Sequence, residues 1–192
     1  MANKRKPESI TVPDGGIGTI KDRLMNQWGI LKPSRYEFQI SGVPNEVALR
    51  LNMSCESIKL PGRGVSTEPA KVYGPTREMP YDKLYVKEMD AIFRVGVDML
   101  ERSFFENWLG EIVSIHSHDF KYYGTNNSGY AKTIKINQLD EQDNVVYQVE
   151  LREAFPKNVQ EIELGDAKVD EYSKQTVQFA YRDYKVLYSK NY

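Results

Sequence analysis

Apolar and polar residues alternate along residues 91–97, where every second side chain is Ala, Phe or Val. This period of two predicts a strand with one buried face. After it the spacing becomes helical, and the apolar stripe consists of Phe104, Phe105, Trp108, Leu109, Ile112 and Val113. Asp98, followed three residues later by Glu101, is typical of a capping box and predicts a helix that starts at Asp98. The chain therefore contains one strong helix directly after a strand.

The period of two recurs along the rest of the chain and predicts six to eight strands. The clearest segments are residues 36–40, 47–55, 134–136, 145–151, 162–164 and 177–181. Residues 42–45 predict a hairpin turn between the first two segments, and residues 156–158 predict a turn before the fifth. No strand–helix–strand rhythm is present. We therefore predict a mainly β fold, an antiparallel sandwich or barrel flanked by one long helix.

The first 32 residues differ from the rest of the sequence. Ile17, Ile20, Leu24 and Trp28 fall on one helical face, and Gly29 can end a helix in a left-handed conformation. Regular alternation begins only after Pro33. We expect an N-terminal extension with a short helix, residues 1–32, followed by a β domain with a C-terminal tail, residues 33–192.

Residues 61–80 form a segment with four prolines and three glycines. It is too long for a simple turn, and loops of this length in compact domains are usually functional or poorly ordered. Gly62-Arg63-Gly64 lacks the lysine and hydroxyl of a phosphate-binding P-loop. The segment is better interpreted as an extension that contacts a neighbouring molecule.

Composition excludes several classes of protein. The formal net charge is −1, so no basic field favours nucleic acid or anionic lipid. No apolar run approaches the ~20 residues that span a bilayer, and no signal-peptide core is present, so we expect a soluble protein made in a cytoplasm. The single cysteine, Cys55, lies on the apolar side of its segment and is interpreted as a buried, inert thiol.

The sequence offers little that points to catalysis. His116 and His118 have the spacing of a zinc-ligand pair, but the chain contains no third histidine. Glu161 and Glu163 alternate with Ile162 and Leu164, which is typical of the outer face of a strand. We predict no catalytic residue, no metal and no cofactor. A monomeric β-barrel that binds a small apolar ligand, and a metal-dependent enzyme using the two histidines, stay open as alternatives.

Four segments, in this order, resemble the tail tube proteins of contractile-tailed bacteriophages. They are RYEFQISGVP (35–44), SCESIKLPGRG (54–64), FRVGVDMLERSFFENWLGEI (93–112), and REAFPKNVQEIEL (152–164) with QTVQFAYRDY (175–184). The resemblance covers roughly residues 33–188. It implies a small β-sandwich or barrel flanked by a helix, the plan that the type VI secretion tube shares.

The resemblance also implies a function. Six copies would form a ring, rings would stack into a tube in the tail of the virion, and the sheets of neighbours would join into a continuous lining. DNA would pass through this tube without specific binding, and the other partners would be sheath, baseplate and tape measure proteins. A tube initiator or baseplate ring protein of the same family is the alternative.

Candidate residues follow from the same resemblance. Residues 61–87 would be an inter-subunit loop, with Arg63, Tyr73, Arg77, Tyr81 and Tyr85 as its contacts. The acidic strands would line the bore and keep phosphates from adhering, with Glu150, Glu161 and Glu163 as the candidates.

Overall fold

Nine strands and two helices are present in the part of the chain that this computed structural model describes, residues 29–71, 74–85, 87–113, 129–165 and 170–189. The strands are β1 (Tyr36–Ile40), β2 (Cys55–Ile58), β3 (Arg63–Ala70), β4 (Arg77–Tyr85), β5 (Glu88–Arg94), β6 (Lys132–Leu139), β7 (Val145–Val159), β8 (Lys174–Ala180) and β9 (Asp183–Ser189). The helices are α1 (Asn45–Ser54) and α2 (Leu100–Ile112). All of these elements belong to one compact unit, residues 35–192.

Two four-stranded sheets share the long strand β7. Sheet A has the order β1–β6–β7–β9, and sheet B has the order β7–β8–β5–β2. Every strand pairing is antiparallel. The first part of β7 pairs with β9, and its last residues, from Phe155 onward, pair with β8. The predicted mainly β, antiparallel fold with a long flanking helix is confirmed.

Aromatic side chains fill the space between the sheets. Phe105 of α2 is fully buried, with its ring centroid 5.0 Å from that of Phe93 on β5 and 5.7 Å from that of Phe179 on β8. Trp108, one turn further along α2, is also buried, and its indole N–H donates to the carbonyl of Tyr130 at 2.8 Å. The predicted helical stripe is therefore the face that α2 buries from Phe104 to Ile112, whereas Val113 follows the end of the helix and is 36% exposed. Within the described residues, the space between the sheets is therefore filled by side chains of the core.

The predicted strand over residues 47–55 is wrong, because residues 45–54 form α1 and only Cys55 begins a strand. Leu51 is buried, and Val47 packs against the core one turn earlier. Leu49 and Met53, which alternation assigned to the buried face, are 61% and 75% exposed. The spacing of these apolar residues fits both a strand and a helix, and packing against β1 stabilises the helix.

The predicted turn at residues 156–158 and the predicted strand at 162–164 are also wrong. β7 continues to Val159. Pro156 lies where the register between β7 and β8 shifts, so its lack of an N–H removes little hydrogen bonding between the two strands. No strand is assigned to residues 160–165, and Leu164 is 83% exposed. The predicted last strand is β8, with Val177 and Phe179 buried, and β9 follows it.

The predicted capping box is wrong in its contacts. α2 has no side-chain capping bond at its N-cap residue, Met99, whose backbone is left-handed with φ 53°. Glu101 accepts hydrogen bonds from Gly96 N–H at 3.0 Å and from Nε of Arg50 on α1 at 2.9 Å. Asp98 binds the other two nitrogens of the same guanidinium. We call Arg50, Asp98 and Glu101 the clasp, since they join α1 to the start of α2.

Several predictions fall outside the described residues. These are the N-terminal helix, the pair His116 and His118, and Tyr73. Neither described helix is long and apolar enough to cross a membrane.

Candidate assembly surface

Within the described residues, the β3–β4 hairpin forms a two-stranded sheet of its own, separate from sheets A and B. We call residues 63–85 the arm. Its strands pair with each other from Arg63 opposite Tyr85 to Ala70 opposite Arg77, and within the described residues they pair with no other strand. Eight paired residues span about 27 Å. The segment predicted as a loop is therefore an ordered extension.

The arm exposes large apolar side chains along its length. Val65, Met79, Tyr81 and Leu84 are between 53% and 75% exposed. Tyr81 is the most exposed of the four and lies where the register shifts, between residues that pair with Ser66 and Thr67. A hairpin with this much exposed apolar surface is typical of a segment that packs against a partner.

The structure spreads the predicted arm residues rather than clustering them. Arg63 lies at the root of the arm, and Arg77 lies close to its tip; both are exposed. Tyr81 lies between them, and Tyr85 ends β4 opposite Arg63. The four residues follow the arm from end to end, which suits an extended contact better than a single pocket.

The edge of sheet B is protected. Its outer strand, β2, has only four residues and a shift of register between Cys55 and Ser57. Glu56 on this strand accepts from Lys174 at 2.7 Å and from the hydroxyl of Tyr172 at 3.1 Å. A short, irregular and charged edge discourages pairing with another chain.

The two edges of sheet A differ from each other. At β1 the N–H of Phe38 donates to the side-chain oxygen of Asn52 on α1 at 2.8 Å, so part of this edge is already satisfied. At β9 only the side facing β7 is paired within the described residues, and Val186 and Leu187 are about 40% exposed. The strand β9 is therefore an open edge of seven residues.

The face of sheet A that points away from the core is polar and internally bonded. Asn137 on β6 donates to Glu37 on β1 at 3.1 Å and accepts from Gln148 on β7 at 2.8 Å. This row crosses three strands, and Asn137 is only 4% exposed. We call this surface, on strands β1, β6, β7 and β9, the polar face.

Glu150 lies at the centre of the polar face, between two lysines. Lys135 stands opposite it on β6, with Nζ 3.9 Å from the carboxylate, and Lys185 stands opposite it on β9. One position further along, Arg152 donates to Asp183 at 2.6 Å. Glu161 and Glu163 lie beyond the end of β7, exposed and outside sheet A. The three acidic candidates thus do not form one surface.

Cys55 is a free, partly buried thiol at the start of β2. Burial raises its pKa to about 11, against a weaker opposing effect of the Tyr36 hydroxyl. Thiolate is the reactive form of cysteine, so little of it is present near neutral pH.

We expect Cys55 to resist alkylation by iodoacetamide at pH 8 in the folded protein and to react fully in urea. Mass spectrometry of the intact protein measures both states. Rapid labelling of the folded protein would contradict the burial of this thiol.

No group of three or more metal-ligating side chains occurs in the described ranges. The chain also matches no curated protein.

Comparisons with known structures show the same fold. The chain is similar to one from the sheath–tube complex of the extracellular contractile injection system PVC, with TM-score 0.55, 13% identity, and coverage of 88% of this chain and 96% of that one. It is also similar to a chain of the anti-feeding prophage baseplate, with TM-score 0.59, 16% identity, and coverage of 84% and 97%. A chain of the anti-feeding prophage cap, which terminates its tube, gives TM-score 0.57, 14% identity, and coverage of 83% and 92%.

The family comparison extends over most of the sequence. The family model described as "Phage tail tube protein" matches residues 24–187. That range includes the arm, α2 and both sheets except the last two residues of β9, and it contains the four segments that carried the resemblance. This chain therefore belongs to the phage tail tube protein family, which is structural and not enzymatic.

Proposed function

We propose that copies of this chain assemble into hexameric rings that stack into the tail tube of a virion, and that DNA leaves through the hollow centre. The observation that carries the proposal is sheet A, which has a hydrogen-bonded polar face on one side and two unlike edges. A ring that closes needs two different patches on each subunit, because every copy meets its neighbours head to tail. The open edge at β9 and the partly satisfied edge at β1 are two such patches.

The dimensions of sheet A suit a conduit. Six copies of a four-stranded sheet, placed side by side at about 4.8 Å per strand, give a circumference of about 115 Å. The diameter at the backbone is then about 37 Å, and tilted strands widen it. Side chains narrow this opening but leave room for a DNA duplex.

In this assembly the polar face lines the bore, and the buried face of sheet A stays in the subunit core. Glu150 then lies on the bore wall, as the sequence suggested. Glu161 and Glu163 lie off sheet A, so our proposal keeps the bore-lining role for Glu150 alone.

The arm supplies the contact between copies. Its exposed apolar side chains and its length of about 27 Å allow it to reach across a boundary between subunits. We propose that Arg63, Arg77, Tyr81 and Tyr85 make contacts along it, together with Tyr73.

The outer surface of the tube would bind sheath proteins, its lower end a baseplate, and its interior a tape measure protein before DNA enters. Similar chains come from a sheath–tube complex and a baseplate, which supports the first two partners.

A cysteine on the polar face tests the placement of the bore. We expect the Gln39→Cys variant to form tubes in which the introduced thiol reacts with a small maleimide but not with a maleimide on a large polyethylene glycol. Gln39 is exposed in the subunit, and the unreactive Cys55 adds little background. Unassembled subunits should react with both reagents, and gel shifts measure the modified fraction.

The other possible labelling results indicate other positions of the polar face. Reaction of tubes with both reagents would put the polar face on the outside, and reaction with neither would put it in a contact between copies. Electron microscopy of the same sample measures assembly. Long rods support a tube subunit, and single rings support the tube initiator. Subunits that stay dispersed even when an assembled baseplate is added would contradict both.

A further inference from the structure

We propose that the polar face forms a charge-paired bore wall that retains neither a polyanion nor a polycation. The inference rests on the proposed function, because it assigns a property to the lining of the tube. It replaces the acidic lining expected from the sequence with a neutral one.

The charges of the polar face balance. Its acidic residues are Glu37, Glu150 and Asp183, and its basic residues are Lys135, Arg152 and Lys185. Among the residues that the structure describes, three negative charges therefore meet three positive charges on this face. The remaining central positions, Asn137 and Gln148, are neutral amides.

The opposite charges are also close together. Arg152 and Asp183 are bonded at 2.6 Å, and Lys135 lies 3.9 Å from Glu150. Lys185 flanks Glu150 from the other side. The field of such neighbours cancels within a short distance, whereas a net charge is screened only over about 8 Å at physiological salt. A polymer near the centre of the bore would meet little potential of either sign.

Hydrogen bonds within the polar face also reduce the adhesion of a passing polymer. The amide of Asn137 uses its oxygen on Gln148 and a nitrogen on Glu37. A passing phosphate or peptide group would have to break these bonds to form its own, so adhesion gains little net free energy. These amides disfavour adhesion because they already have partners, whereas Oδ1 of Asp183, buried on the same face, has none.

The consequence concerns the passenger. An acidic bore would repel DNA and hold basic peptides, whereas a charge-paired bore admits nucleic acid and polypeptide alike. The class of passenger is then set by width and not by charge.

Charge substitutions in assembled tubes test this inference. The probes are a short fluorescent DNA duplex and fluorescent oligolysine, and the measurement is the fraction that sediments with the tubes. Glu150→Gln leaves the wall positive, and we expect it to raise DNA retention several-fold at low salt. Lys135→Gln with Lys185→Gln leaves the wall negative, and we expect it to raise oligolysine retention. Both effects should vanish at high salt.

Matched variants on other surfaces control for binding to the outside. Glu46→Gln on α1 and Lys59→Gln, both exposed, each remove one charge of the corresponding sign away from the polar face and should leave both retained fractions unchanged. If the double lysine variant does not form tubes, Lys185→Gln alone takes its place.

Two results would overturn the charge-paired wall. One is that Glu150→Gln lowers oligolysine retention without raising DNA retention, which is the behaviour of an acidic bore. The other is that the wall variants behave like the controls. Failure of the wild-type chain to form any tube would count against the proposed function instead.

Discussion

Replacing residues 65–83 by Asn-Gly is expected to leave a folded protein that no longer forms tubes. Gly64 and Leu84 are paired across the root of the arm, so a two-residue turn can join them in register. The removed part pairs with no other strand in the described residues, so the core should be unaffected. Assembly should be lost because the apolar surface of the arm is removed. Electron microscopy and sedimentation velocity measure assembly, and urea unfolding measures stability.

A single substitution refines this prediction. Tyr81→Ser should weaken assembly and leave unfolding unchanged, since the side chain is 75% exposed in the subunit. Leu49→Ser on α1, where the side chain is 61% exposed, is the matched control for loss of exposed apolar surface. If the protein with the shortened arm forms normal tubes, the arm is not needed for assembly.

The second large effect concerns folding. Glu101→Ala is expected to destabilise the subunit by about 3 kcal/mol, because it removes a buried carboxylate that two donors use. The side chain is 2% exposed, and Gly96 N–H would lose its acceptor while Arg50 would lose one of its two carboxylates. Glu101→Gln keeps an acceptor and should cost less. Urea unfolding of the arm-shortened protein measures these changes without interference from assembly.

The stability of the protein in acid should also report the hydrogen bonds that Glu101 accepts. Burial acts to raise the pKa of Glu101, but the Gly96 N–H and the Arg50 guanidinium outweigh it, so the pKa lies below the ordinary value of 4.5. A lowered pKa means that the stabilisation is present above 4.5 and is lost as pH falls through the folded-state value. The stability difference between wild type and Glu101→Gln should therefore narrow in acid. Asp98→Asn, at the exposed end of the clasp, is the control and should have a smaller effect at neutral pH. A difference independent of pH would contradict the role of the charge.

Sequence pattern was sufficient where one period was long and unmixed. The stripe from Phe104 to Ile112 could only be a helix, and the alternation around Phe93 and Phe179 could only be strands with one buried face. Residues 47–55 were ambiguous, because Val47 and Leu51 are spaced for both a helix and a strand. The exposure of Leu49 and Met53, which a strand would place on the same face as Leu51, distinguishes the helix from the strand.

The assembly surface was less predictable than the core. The composition of residues 61–80 indicated an extension but could not show that its two halves pair. The acidic residues could be counted in the sequence, but the sequence does not show that β6 and β9 place Lys135 and Lys185 on either side of Glu150. Strand register is a tertiary property, and the charge of a surface depends on it. The strand β9 was missed because the end of the chain was interpreted as a C-terminal tail.

The strand shared by both sheets limits how this chain can change in length. A one-residue insertion within β7 would exchange inward and outward side chains on one side of the insertion, so the strand could no longer fit both sheets in their present register. Gene variants that gain or lose residues there should therefore be purged, whereas the tip of the arm can grow or shrink without touching either core. In the proposed tube, differences in length among related subunits are therefore expected to accumulate where copies contact each other, while the diameter of the bore stays constant.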